Sequence, residues 1–193
     1  MQYVACARVA RATAAAVVRP VAAAPAPPDN AAVTAPFVIR ADDLTGPEIE
    51  ALLHEHLAFA AVNSPPGSRH ALPLEGLRAP DITFWTVWRG GELAGCGALK
   101  QLDEAHGEVK SMRTATPFLR QGVGSLVLAH IVAVARRRGY RRLSLETGSQ
   151  DVFVPARALY ARFGFEVCGP FASYVDDPNS VYMTLAVAAR GSE

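Results

Sequence analysis

Cysteine is scarce in this chain: Cys6, Cys96 and Cys168 are the three among 193 residues, an odd number with no close pair. That excludes a disulfide framework and the paired spacing of a zinc site, and it fits a reducing cytoplasm. An excess of charge of either sign is also missing, with 19 Lys and Arg against 18 Asp and Glu. Nothing in the balance calls for a nucleic acid or an acidic membrane surface, so a small-molecule partner fits better. Long apolar runs are absent as well. Arginines interrupt every run near the start, so neither the ~7–15 apolar residues of a secretory signal nor the ~20 of a membrane span can be found. Export and membrane insertion are disfavoured, and the expected location is cytoplasmic.

Acid is missing from the beginning of the chain, where nothing negative precedes Asp29. Ala, Val and Pro dominate Met1 to Pro36, with Arg8, Arg11 and Arg19 spread along it. A transit peptide shares that bias, but Pro25, Pro27, Pro28 and the lack of an amphipathic period favour a disordered tail over residues 1–36. A chain of 193 residues then leaves one folded domain, expected over 37–190, large enough to bury a real core.

What is present reads as alternating strands and helices. Phe37 to Ile39 form a short strand, and a helix opens at Thr45 with Pro47 and Glu48 in its first turn. Ile49, Leu52, Leu53, Leu57 and Ala60 recur at helical spacing until Asn63-Ser-Pro-Pro-Gly-Ser68 breaks the pattern. After a loop through Pro80, Ile82 to Trp88 and Leu93 to Gln101 read as a hairpin around Gly90-Gly91. A third strand is expected over Glu108 to Thr114.

That strand leads to Arg120-Gln-Gly-Val-Gly-Ser125 and then to helical apolar spacing from Leu126 to Arg138. Glycines let backbone approach phosphate oxygens, and the first amides of a helix are unpaired donors at the positive end of its dipole. By itself such a loop is more often a tight turn than an anion site. It lacks the third glycine of a dinucleotide fingerprint and the Gly-Lys-Ser/Thr ending of a P-loop, which demotes both readings. The strand Arg142 to Thr147, a short helix around Pro155 to Phe163 and the turn Phe163-Gly164-Phe165 into another strand complete the order.

This order resembles the GNAT superfamily of acyl-CoA-dependent N-acyltransferases. The resemblance covers roughly 37–187 and is most specific in Glu108 to Ser125 and in Leu159-Tyr-Ala-Arg-Phe-Gly-Phe165. More narrowly, Ser64-Pro-Pro, His70-Ala-Leu, Phe84-Trp85, Leu145-Glu-Thr-Gly148 and Gly169-Pro-Phe…Asp177-Pro…Ser180 are similar to a bacterial branch labelled YsnE-like N-acetyltransferases. The resemblance implies a mixed α/β fold, with a mostly antiparallel sheet, splayed central strands and helices on both faces. It implies acetyl-CoA as cosubstrate, a primary amine of a small molecule as acceptor and direct attack in a ternary complex, and it is compatible with a homodimer. Carried over by position, the backbone of Met112, Arg113 and Thr114 would pair with the pantetheine arm. Arg120, Gln121, Gly122, Val123, Gly124 and Ser125 would hold the pyrophosphate.

Two positions depart from the family pattern. Leu119 stands where an Arg or Gln is usual, which should weaken cofactor binding by about 1–3 kcal/mol, with Arg120 next to it to compensate. Phe153 stands where an Asn is frequent. These departures also suit an acyl-CoA-binding module without turnover.

The chemistry needs groups that take a proton from an ammonium and give one to a departing thiolate. The family resemblance assigns the thiolate's acid to Tyr160 and the general base to Glu108, fourteen residues before Gly122. Glu146 on the adjacent strand is the rival, and water alone a third option. Ser64, His70, Trp85 and Tyr174 are the candidates for the acceptor pocket. No metal is expected, because His54 and His56, two apart on a helix, point to different faces and no third ligand has suitable spacing. Cys96 and Cys168 read as inert packing groups.

Overall fold

The structure, a computed structural model, describes residues 35–187. Most of the expected tail over 1–36 and the last three positions of the expected domain over 37–190 lie outside the described residues. Strand β1 (Val38–Ala41) precedes helix α1 (Pro47–Asn63), the short helix α2 (Leu74–Leu77) and strands β2 (Ile82–Arg89), β3 (Glu92–Gln101) and β4 (His106–Thr114). Helix α3 (Val123–Arg137), strand β5 (Arg142–Gly148), helix α4 (Val154–Arg162) and strands β6 (Glu166–Cys168) and β7 (Ser180–Ala186) follow. The seven strands form one sheet in the order β1-β2-β3-β4-β5-β7-β6. Every neighbouring pair is antiparallel except β4 with β5. The expected mixed, mostly antiparallel sheet is therefore present.

Two helix starts differ from the sequence reading. Thr45 does not cap α1: its hydroxyl donates to Asp43 Oδ1 at 2.6 Å, Gly46 occupies the cap position, and Pro47 opens the helix. Helix α3 begins at Val123, three residues before the expected Leu126. Gly122 has φ +86°, which turns the chain directly into the helix, so the glycine loop is itself the first turn.

Helices cover both faces of the sheet. Val123, Val127, Leu128 and Ile131 of α3 pack with Trp85, Val87, Leu99 and Val109 on one face. Ile49, Leu52 and Leu53 of α1 pack with Phe84, Cys96 and Ala98 on the other. Alternate residues of β2 and β3 thus serve opposite layers, as the period of a strand requires.

Two glycines of β3 set how close α3 approaches. A Cβ at Gly97 would lie 2.6 Å from Val127 Cγ1 and 2.7 Å from Met112 Sδ. One at Gly95 would lie 2.7 Å from both Val123 Cγ1 and the Arg113 carbonyl. Gly97→Ala is accordingly expected to cost about 1–3 kcal/mol, the usual scale of overpacking, and to push the start of α3 away from β4. Urea unfolding reads the first effect as a lower midpoint at unchanged slope.

Candidate active site

β4 and β5 run parallel but pair over only three positions, His106 with Arg142, Gly107 with Leu143 and Glu108 with Ser144. Beyond Glu108 the strands diverge, although β4 continues to Thr114 and β5 to Gly148. The joined end is buttressed by His106 Nε2, 2.8 Å from Ser144 Oγ, which donates onward to Thr184 Oγ1 at 3.2 Å. Arg142 donates to His106 Nδ1 at 3.2 Å, so that nitrogen is the unprotonated one and Nε2 the donor.

A bulge re-aims β4 at the point of divergence. Cys96 faces Arg113 and Ala98 faces Lys110, which leaves Ser111 and Met112 together opposite Gly97. Ser111 takes up the extra residue with φ +52°. Met112 Sδ points toward Gly97 and α3, and Thr114 Oγ1 lies near Gly124, whereas the Arg113 guanidinium stacks on Phe59 of α1 at 4.9 Å. The bulge thus places Arg113 on one side of β4 and Met112 and Thr114 on the other.

The divergence opens a cleft of about 960 Å³. On the α3 side it is lined by Met112, Thr114, Arg120, Gly122 to Ser125, Leu159, Tyr160 and Arg162. Among the described residues the amides of Val123, Gly124 and Ser125 have no acceptor, and no side chain caps the helix. A Cβ at Gly122 would meet nothing within 4 Å, so the chain just before these amides is uncrowded. Open donors at a helix start, beside the exposed cation Arg120, suit a pyrophosphate, and acetyl-CoA is a ligand that the residues fit. Leu119 and Arg120 both face the cleft, and Arg120 holds φ +60°, a strained conformation for a residue other than glycine.

On the α1 side the lining is His56, Phe59, Ser64, Arg69, His70, Lys110, Arg113, Glu146 and Phe153. Phe153, in the position where the family pattern has Asn, meets Phe59 edge-on at 5.6 Å and makes an apolar wall. His56 is held neutral, its pKa drawn down to about 4 by burial and then by Arg113. Cys96 lies beneath the bulge with its thiol pushed up to about 12 by burial, an inert packing group.

Two lining groups carry protons that a reaction could use. Tyr160 is 7% exposed, and burial, with the nearby Glu146 charge, pushes its hydroxyl above the usual phenol range. Glu146 accepts a hydrogen bond from Ser180 Oγ at 2.7 Å. Burial raises its pKa above the ordinary carboxylate value, while Ser180, His70 and Lys110 pull the other way.

Glu108, the base expected from position, does not line the cleft. It is 3% exposed, paired with Lys110 Nζ at 2.8 Å and accepting from Tyr174 OH at 2.6 Å. Lys110 Nζ also donates to Tyr174 OH at 2.9 Å, closing a triangle behind the wall. Tyr174 therefore serves that triangle and the edge of His70, whose ring centre is 5.0 Å away, rather than the cleft surface. Trp85 does not line the acceptor side at all. It is 6% exposed in the α3 layer, against His130 at 5.1 Å. Ser64 and His70 line the α1 side of the cleft. The sequence reading did not single out Phe59, Arg69 or the Arg113 side chain, all of which line the cleft. No three His, Cys, Asp or Glu side chains cluster among the described residues, and no described helix is long and apolar enough to cross a membrane.

A family model described as the acetyltransferase (GNAT) family matches residues 49–165. The chain is 60% identical over 146 residues to the N-acetyltransferase YsnE of Bacillus subtilis, covering 76% of this chain and 97% of that one. It is 52% identical over 151 residues to YedL, an N-acetyltransferase of Escherichia coli, covering 78% and 95%. Among solved structures, one from Klebsiella pneumoniae described as an acyl-CoA N-acyltransferase superposes with a TM-score of 0.65 at 29% identity, covering 79% of this chain and 98% of that one.

Proposed function

The chain belongs to the acetyltransferase (GNAT) family, an acetyl-CoA-dependent enzyme family, and from that membership we propose that it acetylates the primary amine of a small molecule by direct attack in a ternary complex. The observation that carries this reading is that one cleft brings these groups together. Unpaired helix amides lie on one side of the parted strands, the half-buried Glu146 carboxyl and an aromatic wall on the other, and Tyr160 is among its lining. Acetyl-CoA, when bound, supplies an activated acetyl carbonyl on a thioester.

In this reading the amides of Val123, Gly124 and Ser125, helped by Arg120, bind the pyrophosphate, and the backbone of Met112 to Thr114 orients the extended arm. Glu146 takes the proton of the acceptor ammonium. Its raised pKa brings a carboxyl closer to the basicity the task needs, and it stands on the cleft surface where Glu108 does not. Tyr160 stabilises the departing sulfur as a hydrogen-bond donor. Its proton is held too tightly for complete transfer to a thiolate of ordinary basicity, near pKa 8.5, so its contribution is donation rather than full protonation. The Glu108–Lys110–Tyr174 triangle fixes the wall behind His70.

The reading is tested by following thiol release from acetyl-CoA with a broad amine panel, beside calorimetric titration of acetyl-CoA. Amine-dependent release with an acetylated product supports it. Tight binding with no release for any amine would leave an acyl-CoA-binding module. Tyr160→Phe is expected to lower kcat about 10²-fold with little change in acetyl-CoA affinity, the scale of losing one donor aimed at developing charge. Single-turnover kinetics check this.

A further inference from the structure

We infer that the acceptor is an amino acid, its carboxylate received by the Arg113 guanidinium and its side chain by the Phe59–Phe153 wall. This deepens the acetyltransferase reading and rests on it.

The case begins with an unpaired cation. An arginine offers five N–H donors in a planar fork, and a guanidinium drawn into a protein wall, as half-buried Arg113 is, is ordinarily matched by a carboxylate or carbonyls. Arg113 has neither among the described residues. Its Nε is buried without a hydrogen-bond partner, and the ion pairs found there, Lys100 with Asp81 and Lys110 with Glu108, do not include it. Its Cζ lies over the Phe59 ring, 4.9 Å from the ring centre, a contact that uses none of its N–H donors. His56 Nδ1 and His70 Nε2, on the same wall, are also buried without partners.

Position separates Arg113 from the cosubstrate's phosphates. Thr114 and Gly124 meet on the α3 side of β4, whereas Arg113 projects to the α1 side. Arg120 and Arg162 already line the α3 side. The charge on the α1 side is also one-sided. Lys110 is neutralised by Glu108, Arg69 donates to the Ser64 and Ala61 carbonyls, and Glu146 is the sole carboxyl in the lining. A ligand that brings one planar anion for Arg113, an amine for Glu146 and an apolar group for the two phenylalanines matches all three features. An amine without an acid would leave the half-buried guanidinium unpaired.

The experiment compares the twenty standard amino acids with their amides as acceptors, measuring kcat/KM by thiol release, with acetyl-CoA affinity measured alongside. For the accepted amino acids, bulky apolar ones foremost, the acid is expected to exceed its amide by at least about 10²-fold. Arg113→Gln should collapse that ratio to within a fewfold of one, and Arg113→Lys should restore part of it. The ratio is internal to each variant, so a general loss of cosubstrate binding or stability cancels from it. Amides used as well as acids, an unchanged ratio in Arg113→Gln, or turnover confined to amines lacking an acid would overturn the inference while leaving the transferase reading intact. So would refusal of every amino acid by a protein that still binds acetyl-CoA. Failure to bind acetyl-CoA at all would instead remove the transferase reading itself.

Discussion

Glu146→Gln is expected to lower kcat/KM by about 10²–10⁴-fold while leaving the melting temperature at pH 7 unchanged or higher. The first half is the usual loss when a positioned base is removed. The second follows from the direction of its shift. The folded protein holds this carboxyl's pKa above 4.5, so keeping it ionised costs stability. That cost is absent below the ordinary value and complete above the raised one, so an uncharged glutamine escapes it at neutral pH. Ser180 Oγ can still donate to the amide oxygen. The wild-type kcat/KM should rise with pH as Glu146 loses its proton, and this limb should vanish in the variant. Glu108→Gln should do the reverse, weakening the pair with Lys110 and the bond from Tyr174 at a cost of about 1–3 kcal/mol, with a smaller loss of rate. A large rate loss in Glu108→Gln with an active Glu146→Gln would return the base assignment to Glu108.

Gly124→Asp is expected to weaken acetyl-CoA binding by about 10³-fold or more without unfolding the protein. A carboxylate about 4 Å from a phosphate oxygen costs about 4 kcal/mol at the effective dielectric of a protein surface, and that is close to three decades in Kd. Folding should survive, since an acid in the first turn of α3 complements the helix dipole and glycine is a poor helix former. The added Cβ, 3.2 Å from Leu159 Cδ2, displaces only the end of a side chain. Gly124→Ala separates the steric part and should cost no more than about tenfold. Calorimetric titration of both variants against wild type settles the matter, and equal losses for Ala and Asp would mean that no phosphate lies there.

The parts of the site written in contiguous residues could be read from sequence. Strand, glycine pair and helix occur within Glu108 to Arg137, and the resemblance they carry is the family found. What resisted reading depends on which face a residue takes. β2 is covered on both sides, so Phe84 and Trp85 give no alternation to reveal which one meets α1, and Trp85 was placed on the wrong side. The bulge at Ser111 shifts the register of β4 without glycine or proline to announce it, which hid the direction of Arg113. Glu108 looked available because its partner Tyr174 lies 66 residues farther along, on a segment whose return to the sheet has no local signature. Arg69 and Phe59 were not singled out because a loop and a helix face become a pocket wall only when β4 and β5 part.

That parting gives the sheet an internal edge. Elsewhere in proteins an unpaired strand edge is a hazard because any extended chain can add to it. Here the parted edges of β4 and β5 face a cleft lined by residues of α3 and α4. In the proposed reading the final rung of the ladder would be supplied by acetyl-CoA instead of by the sequence. By mass action the protein should then be sturdiest when acetyl-CoA is plentiful, gaining about 2.7 kcal/mol at a hundredfold excess over Kd, and its lifetime in a cell would report the supply of activated acetyl groups.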